Sequence, residues 1–345
     1  MITLRRRDSL HHTEGGWFSA NWHFSFDDYE DPENMWFGDL RVFNDDTLVP
    51  GAVWPMHPHR DIEGITYVAE GMFEHADSRG NGGILPPGSV QRATLGSGMQ
   101  HAEGNQSQTE PMRFIQMWII PSERGLPPSI EQRGFDESSR RGRWLPVLVP
   151  APGYGGPNSP TNLDAVTVHQ DATVYATLLE PVQAVTHRFR EGFQGYVFVV
   201  HGDAHVATGG DAGELDEGGA AKIVDEPEVS VRARDAGAEL LLVETRAVDA
   251  QASGLRPASF GWATRRISHV IPGPETIEPE LFDPTARPSL ASRSATSVVV
   301  MLLLGSLPAM GWSSRDHPIS RQRNDSGVSG GGTRRRRISP IGQPT

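Results

Sequence analysis

Short apolar runs alternate with turn residues from about residue 17 to residue 246, and no long stretch carries the 3.6-residue period of an amphipathic helix. Gly64–Val68, Arg113–Ile120, Ala172–Leu179, Gly195–Val200 and Glu239–Glu244 are dense in β-branched and aromatic side chains and read as strands. Between such runs stand Asn44-Asp45-Asp46, Gly80-Asn81-Gly82-Gly83, Pro86-Pro87-Gly88 and Gly209-Gly210-Asp211, residues whose backbone preferences turn a chain. Many short strands with such punctuation predict an all-β protein built of sandwiches or barrels.

The pattern repeats weakly. Ile65-Thr66-Tyr67-Val68-Ala69-Glu70-Gly71 resembles Tyr196-Val197-Phe198-Val199-Val200-His201-Gly202, each an apolar strand ending in a polar residue and glycine. A further apolar strand follows in each copy, Phe114–Ile120 in the first and Leu240–Val243 in the second. Two copies of one β-barrel account for the repeat. The length of 345 residues agrees, because at roughly 100–200 residues per domain it allows two domains and a remainder. The expected boundaries are 1–130 for the first barrel, 131–160 for a Pro-, Gly-, Arg- and Ser-rich linker, and 161–248 for the second barrel. Residues 249–345 contain Gly330-Gly331-Gly332 and Arg334-Arg335-Arg336-Arg337 and bury too little apolar surface to offset chain entropy, so a poorly ordered C-terminal tail is expected there.

Charge sharpens that division. Residues 1–250 hold 37 acidic and 19 basic side chains, whereas residues 251–345 hold 6 acidic and 12 basic. The acidic body argues against nucleic acid as a partner, and the arginine run reads as a solvated tail. Cysteine is absent, which excludes disulfides, thiolate metal sites and thiol nucleophiles. No apolar run follows Arg5-Arg6-Arg7, and Val298–Leu304, the longest such run, is far short of the about 20 residues that span a bilayer. No membrane association is expected, and the expected location is the cytoplasm.

Any metal site must therefore use imidazole and carboxylate. His57 and His59 stand at i and i+2, and so do His101 and Glu103. On strands that spacing points both members of each pair to one face. Two adjacent strands of one barrel then aim four ligands at a single point. Three neutral imidazoles and a carboxylate suit a borderline divalent ion such as iron, copper, nickel or manganese, with coordination positions left open. The bland alternative for His57-Pro58-His59 is a surface turn. The matching His101-Ala102-Glu103 pair and the glycines at 51, 71, 88, 96 and 98 favour the metal site.

Gly51-x5-His57-x-His59-x3-Glu63 and Gly98-x2-His101-x3-Asn105 resemble the two cupin motifs. More closely, HPHRDIEGITYVAEGMFEHADSRGNGG at 57–83, FGDLRVFNDD at 37–46 and GSGMQHAE at 96–103 resemble the pirin family. IQMWIIP at 115–121 and EQRGFD at 131–136 resemble its bacterial, quercetinase-like branch. The resemblance runs from about Trp17 to Arg246. Asp61-Ile62 and the strand-interrupting Gly64 depart from the family pattern without touching a ligand position.

The resemblance implies a bicupin, two β-barrel (cupin or jelly-roll) domains in one chain, with one metal in the N-terminal barrel and none in the second. The metal ligands map onto His57, His59, His101 and Glu103, and Glu63 is not a ligand. The implied cofactor is one divalent transition metal, Fe(II) first, with Cu, Ni, Mn, Co or Zn as alternatives. The implied reaction is cleavage of a flavonol such as quercetin by O2, with release of carbon monoxide. Small aromatic substrate and O2 are then the partners, and Glu103, ligand and nearest carboxylate, is the catalytic general base. The alternative of another class is a regulator in which the metal's oxidation state changes a surface that binds a protein partner. A bicupin closes its own barrel pair, so a monomer is expected.

Other histidines receive structural readings. His187, His201 and His205 are scattered and read as core or surface residues, His75 as a turn anchor ahead of a residue that supports the metal ligands, and His11-His12 as a mobile end. Trp17, Trp22 and Trp36 are expected to pack the barrel or its entrance. A histidine site also predicts that metal affinity falls below about pH 6.5, where free imidazole protonates.

Overall fold

A computed structural model describes residues 1–247 of the chain. The first half runs through β1 (Ile2–Arg5), β2 (His11–Glu14), β3 (Phe18–Trp22), β4 (Leu40–Leu48), β5 (Val53–His59), β6 (Glu63–Glu70), β7 (Phe73–Asp77), β8 (Gly82–Leu85), β9 (Ser89–Thr94), β10 (Met99–Asn105), β11 (Met112–Ile119) and β12 (Ser129–Gly134). After the one-turn helix α1 (Glu137–Arg140) come β13 (Leu145–Pro150), β14 (Val166–Val168), β15 (Thr173–Leu179), β16 (Ala184–Arg188), β17 (Phe193–Ala207), β18 (Ala212–Leu215), β19 (Ala220–Ile223) and β20 (Glu228–Arg246). The protein is all-β, with two cupin-type domains. Among the described residues no helix is long and apolar enough to cross a membrane.

The N-terminal barrel has a seven-stranded sheet, ordered β12-β9-β6-β11-β4-β3-β2, and a four-stranded sheet, ordered β5-β10-β7-β8. The C-terminal barrel is built on the path β1-β19-β17-β20-β15-β13-β14, with β16 on β20 and β18 on β17. The two copies seen in the sequence are equivalent pairs in space. Tyr67 of β6 faces Ile115 of β11, and Val199 of β17 faces Leu240 of β20.

Strand alternation explains why these segments are apolar throughout. Ile65 and Tyr67 on β6, and Ile115 and Met117 on β11, turn to the second barrel. They pack there with Tyr196, Phe198, Leu241 and Val243 in one continuous core. The intervening positions turn into a barrel instead: Val68 and Phe114 in the first, Val197, Val199, Leu240 and Leu242 in the second. A sheet covered on both faces has no polar side, so its strands lose the usual in–out alternation. At about 25 cal/mol per Å2 of apolar surface, this shared core is the main force that joins the barrels.

Three expectations need correction. Residues 131–160 are not an open linker. Glu131 and Gln132 lie in β12 opposite Arg92 and Gln91, and β13 enters the second sheet beside β15. The polar Glu131-Gln132-Arg133 sequence is that of an edge strand, which strand-forming composition alone does not reveal. The chain start also crosses domains, since β1 pairs with β19 of the second barrel. His11 and His12 are not a mobile end: they form β2 against β3, with His11 stacked on Trp22 and Tyr29. The residues expected as a tail, 249–345, lie outside the described residues.

Candidate metal centre

β5 and β10 run antiparallel with His57 directly opposite His101 and His59 opposite Met99. The i, i+2 spacing puts His57 and His59 on one face, and the register adds His101 to it. Candidate ligand nitrogens of the three histidines lie within 4.8 Å of one another. A bulge between His101 and Glu103 sets Glu103 opposite Trp54. The Glu103 carboxylate is 3.9 Å from His101 Nδ1 and accepts a hydrogen bond from Gln116 Nε2 at 2.9 Å.

The polar groups are poised rather than paired. His57 Nδ1 lies 2.7 Å from the Pro55 carbonyl oxygen, so it donates there and leaves Nε2 as a lone-pair ligand. His101 is buried, and neither of its ring nitrogens has a hydrogen-bond partner. An unpartnered buried imidazole is costly. A divalent ion would satisfy its lone pair, and the donor set of three imidazoles and a carboxylate fits such an ion. Burial, together with repulsion from His57 and a third histidine, holds His59 and His101 well below the usual histidine pKa. The shift favours the neutral form that offers a metal its lone pair.

Glu63 is elsewhere. It shares parity with Ile65 and Tyr67, so it points at the second barrel; it accepts from Thr94 on the neighbouring strand β9 and contacts His169 across the interface. His75 is no turn anchor; Asp77 holds that turn, accepting from the amides of Arg79 and Asn81. His75 lies buried on β7 with its ring 5.8 Å from that of His101 and both nitrogens unpartnered. Three neighbours stand in the family-like motifs at 37–46 and 115–121, but the sequence did not assign them to the site. Gln116 orients Glu103, Trp118 meets His59 edge-on, and burial with Asp45 and Glu103 nearby raises the Asp46 pKa well above the carboxylate range. They sit on β11 and β4, so only the folded register brings them to the site.

The histidines of the second barrel have other partners: His187 bonds buried Glu244, His205 bonds Glu214, and His201 lies between Glu70 and Glu217. Trp17 packs with Phe18 and Trp54 and Trp22 is buried, while Trp36 is exposed.

A barrel pair with this histidine cluster in its first half defines the chain as a two-domain cupin protein. The Pirin family matches residues 4–119, and the quercetinase C-terminal cupin domain matches residues 158–245. The quercetin 2,3-dioxygenase of Escherichia coli K12 is 38% identical over 245 residues, 71% of this chain and 98% of that protein. A pirin-like protein of Caulobacter vibrioides is 35% identical over 244 residues, 71% of this chain and 99% of that protein. The solved structure of the bacterial pirin YhhW from Escherichia coli in complex with nickel(II) superposes with a TM-score of 0.64 at 34% identity, covering 72% of this chain and all of that one. The chain belongs to the pirin family.

Proposed function

We propose that this protein is a metal-dependent dioxygenase that cleaves flavonols such as quercetin, with His57, His59, His101 and Glu103 holding one divalent transition metal, iron(II) before copper, nickel, manganese, cobalt or zinc. The observation that carries the reading is the convergence of His57, His59 and His101 beside Glu103, with buried His101 lacking any hydrogen-bond partner. The names of relatives, quercetin 2,3-dioxygenase and a nickel-bound pirin, point the same way.

When bound, the metal supplies a Lewis acid with open positions for an ionised substrate hydroxyl. The residues of the chain supply the rest. Glu103 takes the hydroxyl proton as general base. Gln116 fixes one oxygen of that carboxylate through its hydrogen bond. The apolar group of Met99, Trp118 and Ile62, with Phe26 against it, offers an aromatic substrate an apolar wall beside His59. The proton abstracted makes the flavonol electron-rich, and both oxygen atoms of O2 enter it as carbon monoxide leaves.

The test is metal analysis of the purified protein together with O2 uptake and carbon monoxide release on a small flavonol panel. Activity that follows the metal and disappears in His101→Ala supports the reading. A metal-loaded protein that consumes no O2 with any flavonol would sink it.

A further inference from the structure

A line of aromatic rings leads from the candidate metal centre toward the surface. His59 meets Trp118 at 4.8 Å between ring centroids, Trp118 meets Phe26 at 5.3 Å, and Phe26 meets Trp22 at 5.1 Å. Trp22 then stacks on His11 at 5.1 Å, and His11 on Tyr29 at 4.3 Å with planes 15° apart. The inner indoles are 8% and 7% exposed for Trp118 and Trp22, whereas Tyr29 is partly open to solvent. The rings come from β5, β11, β3 with its following loop, and β2, so no single sequence segment produces the line. Core packing accounts for aromatic contacts. It does not call for the outer end: a phenol whose hydroxyl donates to the Asp31 carboxylate at 3.1 Å. Asn34 donates to the same carboxylate oxygen at 2.7 Å and helps keep Asp31 ionised.

We propose that these rings carry oxidising equivalents away from the metal centre, so that an oxidant arising there without substrate is discharged at Tyr29 and not on the ligand histidines. The proposal rests on the metal-site reading above. The oxidant considered is a peroxide. Its reduction to two waters takes two electrons and two protons. Iron(II) becoming iron(III) gives one electron, and Tyr29 gives the other. Its phenolic O–H bond breaks, the proton passes to Asp31 and on to solvent, and the electron moves inward through Trp22 and Trp118. Solvent supplies the remaining proton need. Indole and phenol are readily oxidised and serve as stations; the harder-to-oxidise ring of Phe26 serves as a bridge.

The experiment treats full-length, iron(II)-loaded protein with one equivalent of hydrogen peroxide and no flavonol, and maps oxidised residues by peptide mass spectrometry. Iron content is measured on the same samples. The expected result is oxidation concentrated at Tyr29 and Trp22, absent from metal-free protein. Trp22→Phe should abolish the Tyr29 mark and shift damage to Trp118 and His59. Tyr29→Phe keeps the stacked ring and should stop the damage at Trp22, which covers the case of a poorly folded Trp22 variant. A freely diffusing radical would instead mark side chains by exposure, Trp36 at 39% exposed among them. Marks on Trp36 equal to those on Tyr29, or a Tyr29 mark untouched by Trp22→Phe, overturn the proposal while leaving the metal site standing. Protein that takes up neither iron nor any of the other divalent ions overturns both.

Discussion

Glu63 of the first barrel and His169 of the second are joined twice: the His169 amide donates to Oε2, and ring Nδ1 lies 2.7 Å from Oε1. Thr94 donates to Oε1 at 2.6 Å, and Arg92 stands 4.0 Å away while also binding Glu131. The carboxylate is wholly buried. Glu63→Ala is expected to cost about 3–5 kcal/mol, because Arg92 and the His169 amide then lose a buried partner. Glu63→Gln keeps the shape and should cost about 1–3 kcal/mol. Urea midpoints at unchanged m-value measure both. Metal content should be normal in Glu63→Gln, since the side chain points away from the histidines; loss of metal would instead make Glu63 part of the site.

Gln116 offers a gentler probe of the site than its ligands. It reaches Glu103 from β11 and makes no contact of its own with the three histidines in the hydrogen-bond pattern described. Gln116→Leu removes the donor that orients the carboxylate, and metal affinity is expected to drop roughly 10–100-fold. His101→Ala should lose more. Competition with a chelating dye reads both constants. Affinity unchanged in Gln116→Leu would separate Glu103 from the metal.

The difference between Gln116 and His57 shows what a sequence carries. The convergence of His57, His59 and His101 was legible because strand period and the order of the pirin-like motifs bring them to one face, and Glu103 is the fourth candidate by the same i, i+2 rule. The strands around Tyr67, Tyr196 and Leu241 were legible because covered sheets demand unbroken apolar runs. Gln116 and Trp118 were not, since each reaches the site only through the pairing of β11 with distant strands, and His75 was weighed as a support of the site but read as a turn anchor, because the pairing of β7 with β10 does not show in the sequence. Edge strands β2 and β12 were missed for the opposite reason. Half-exposed edges tolerate His, Glu, Gln and Arg, so their composition looks like loop. Glu63 fitted a cupin position by spacing, and its parity with Ile65 and Tyr67 turns it to the other barrel.

His23 makes stability depend on pH. Its ring is fully buried with Nδ1 2.7 Å from the Tyr196 hydroxyl. Burial, then the charges of Arg5 and Lys222, lower its pKa to about 3. In the unfolded chain the value is about 6.5. Between those values the unfolded state binds a proton that the folded state refuses. The contribution of His23 is thus complete above pH 6.5 and is lost as pH falls toward 3. Between pH 7.5 and pH 5 the wild type should lose about 2 kcal/mol more than the non-titrating His23→Gln. Chemical unfolding at the two pH values measures this; equal losses would mean that His23 is protonated in the fold.

Two glycines beside the site should respond in opposite directions to the same substitution. Gly96 has φ +33°, and a Cβ there would overlap the Leu126 carbonyl oxygen, which already accepts from the Ser97 amide at 2.9 Å. The Gly96 carbonyl also accepts from Asp61 at 2.9 Å, so this turn fixes both the exit of β5 and the entry of β10. Gly96→Ala is expected to cost at least about 1–3 kcal/mol in backbone strain, and to weaken metal binding by shifting His101 against His57. Gly64 is the second residue of β6 with ordinary φ, and a Cβ there meets only Leu95 Cδ1 at 4.0 Å. Gly64→Ala should therefore stabilise by roughly 0.5–1 kcal/mol through the lost freedom of the unfolded chain. In a domain of this size that is a rise in Tm of about 1–4 °C. Calorimetry on both variants decides. A fall in Tm for Gly64→Ala would mean that the barrel needs a bare backbone at 64, against the van der Waals space found there.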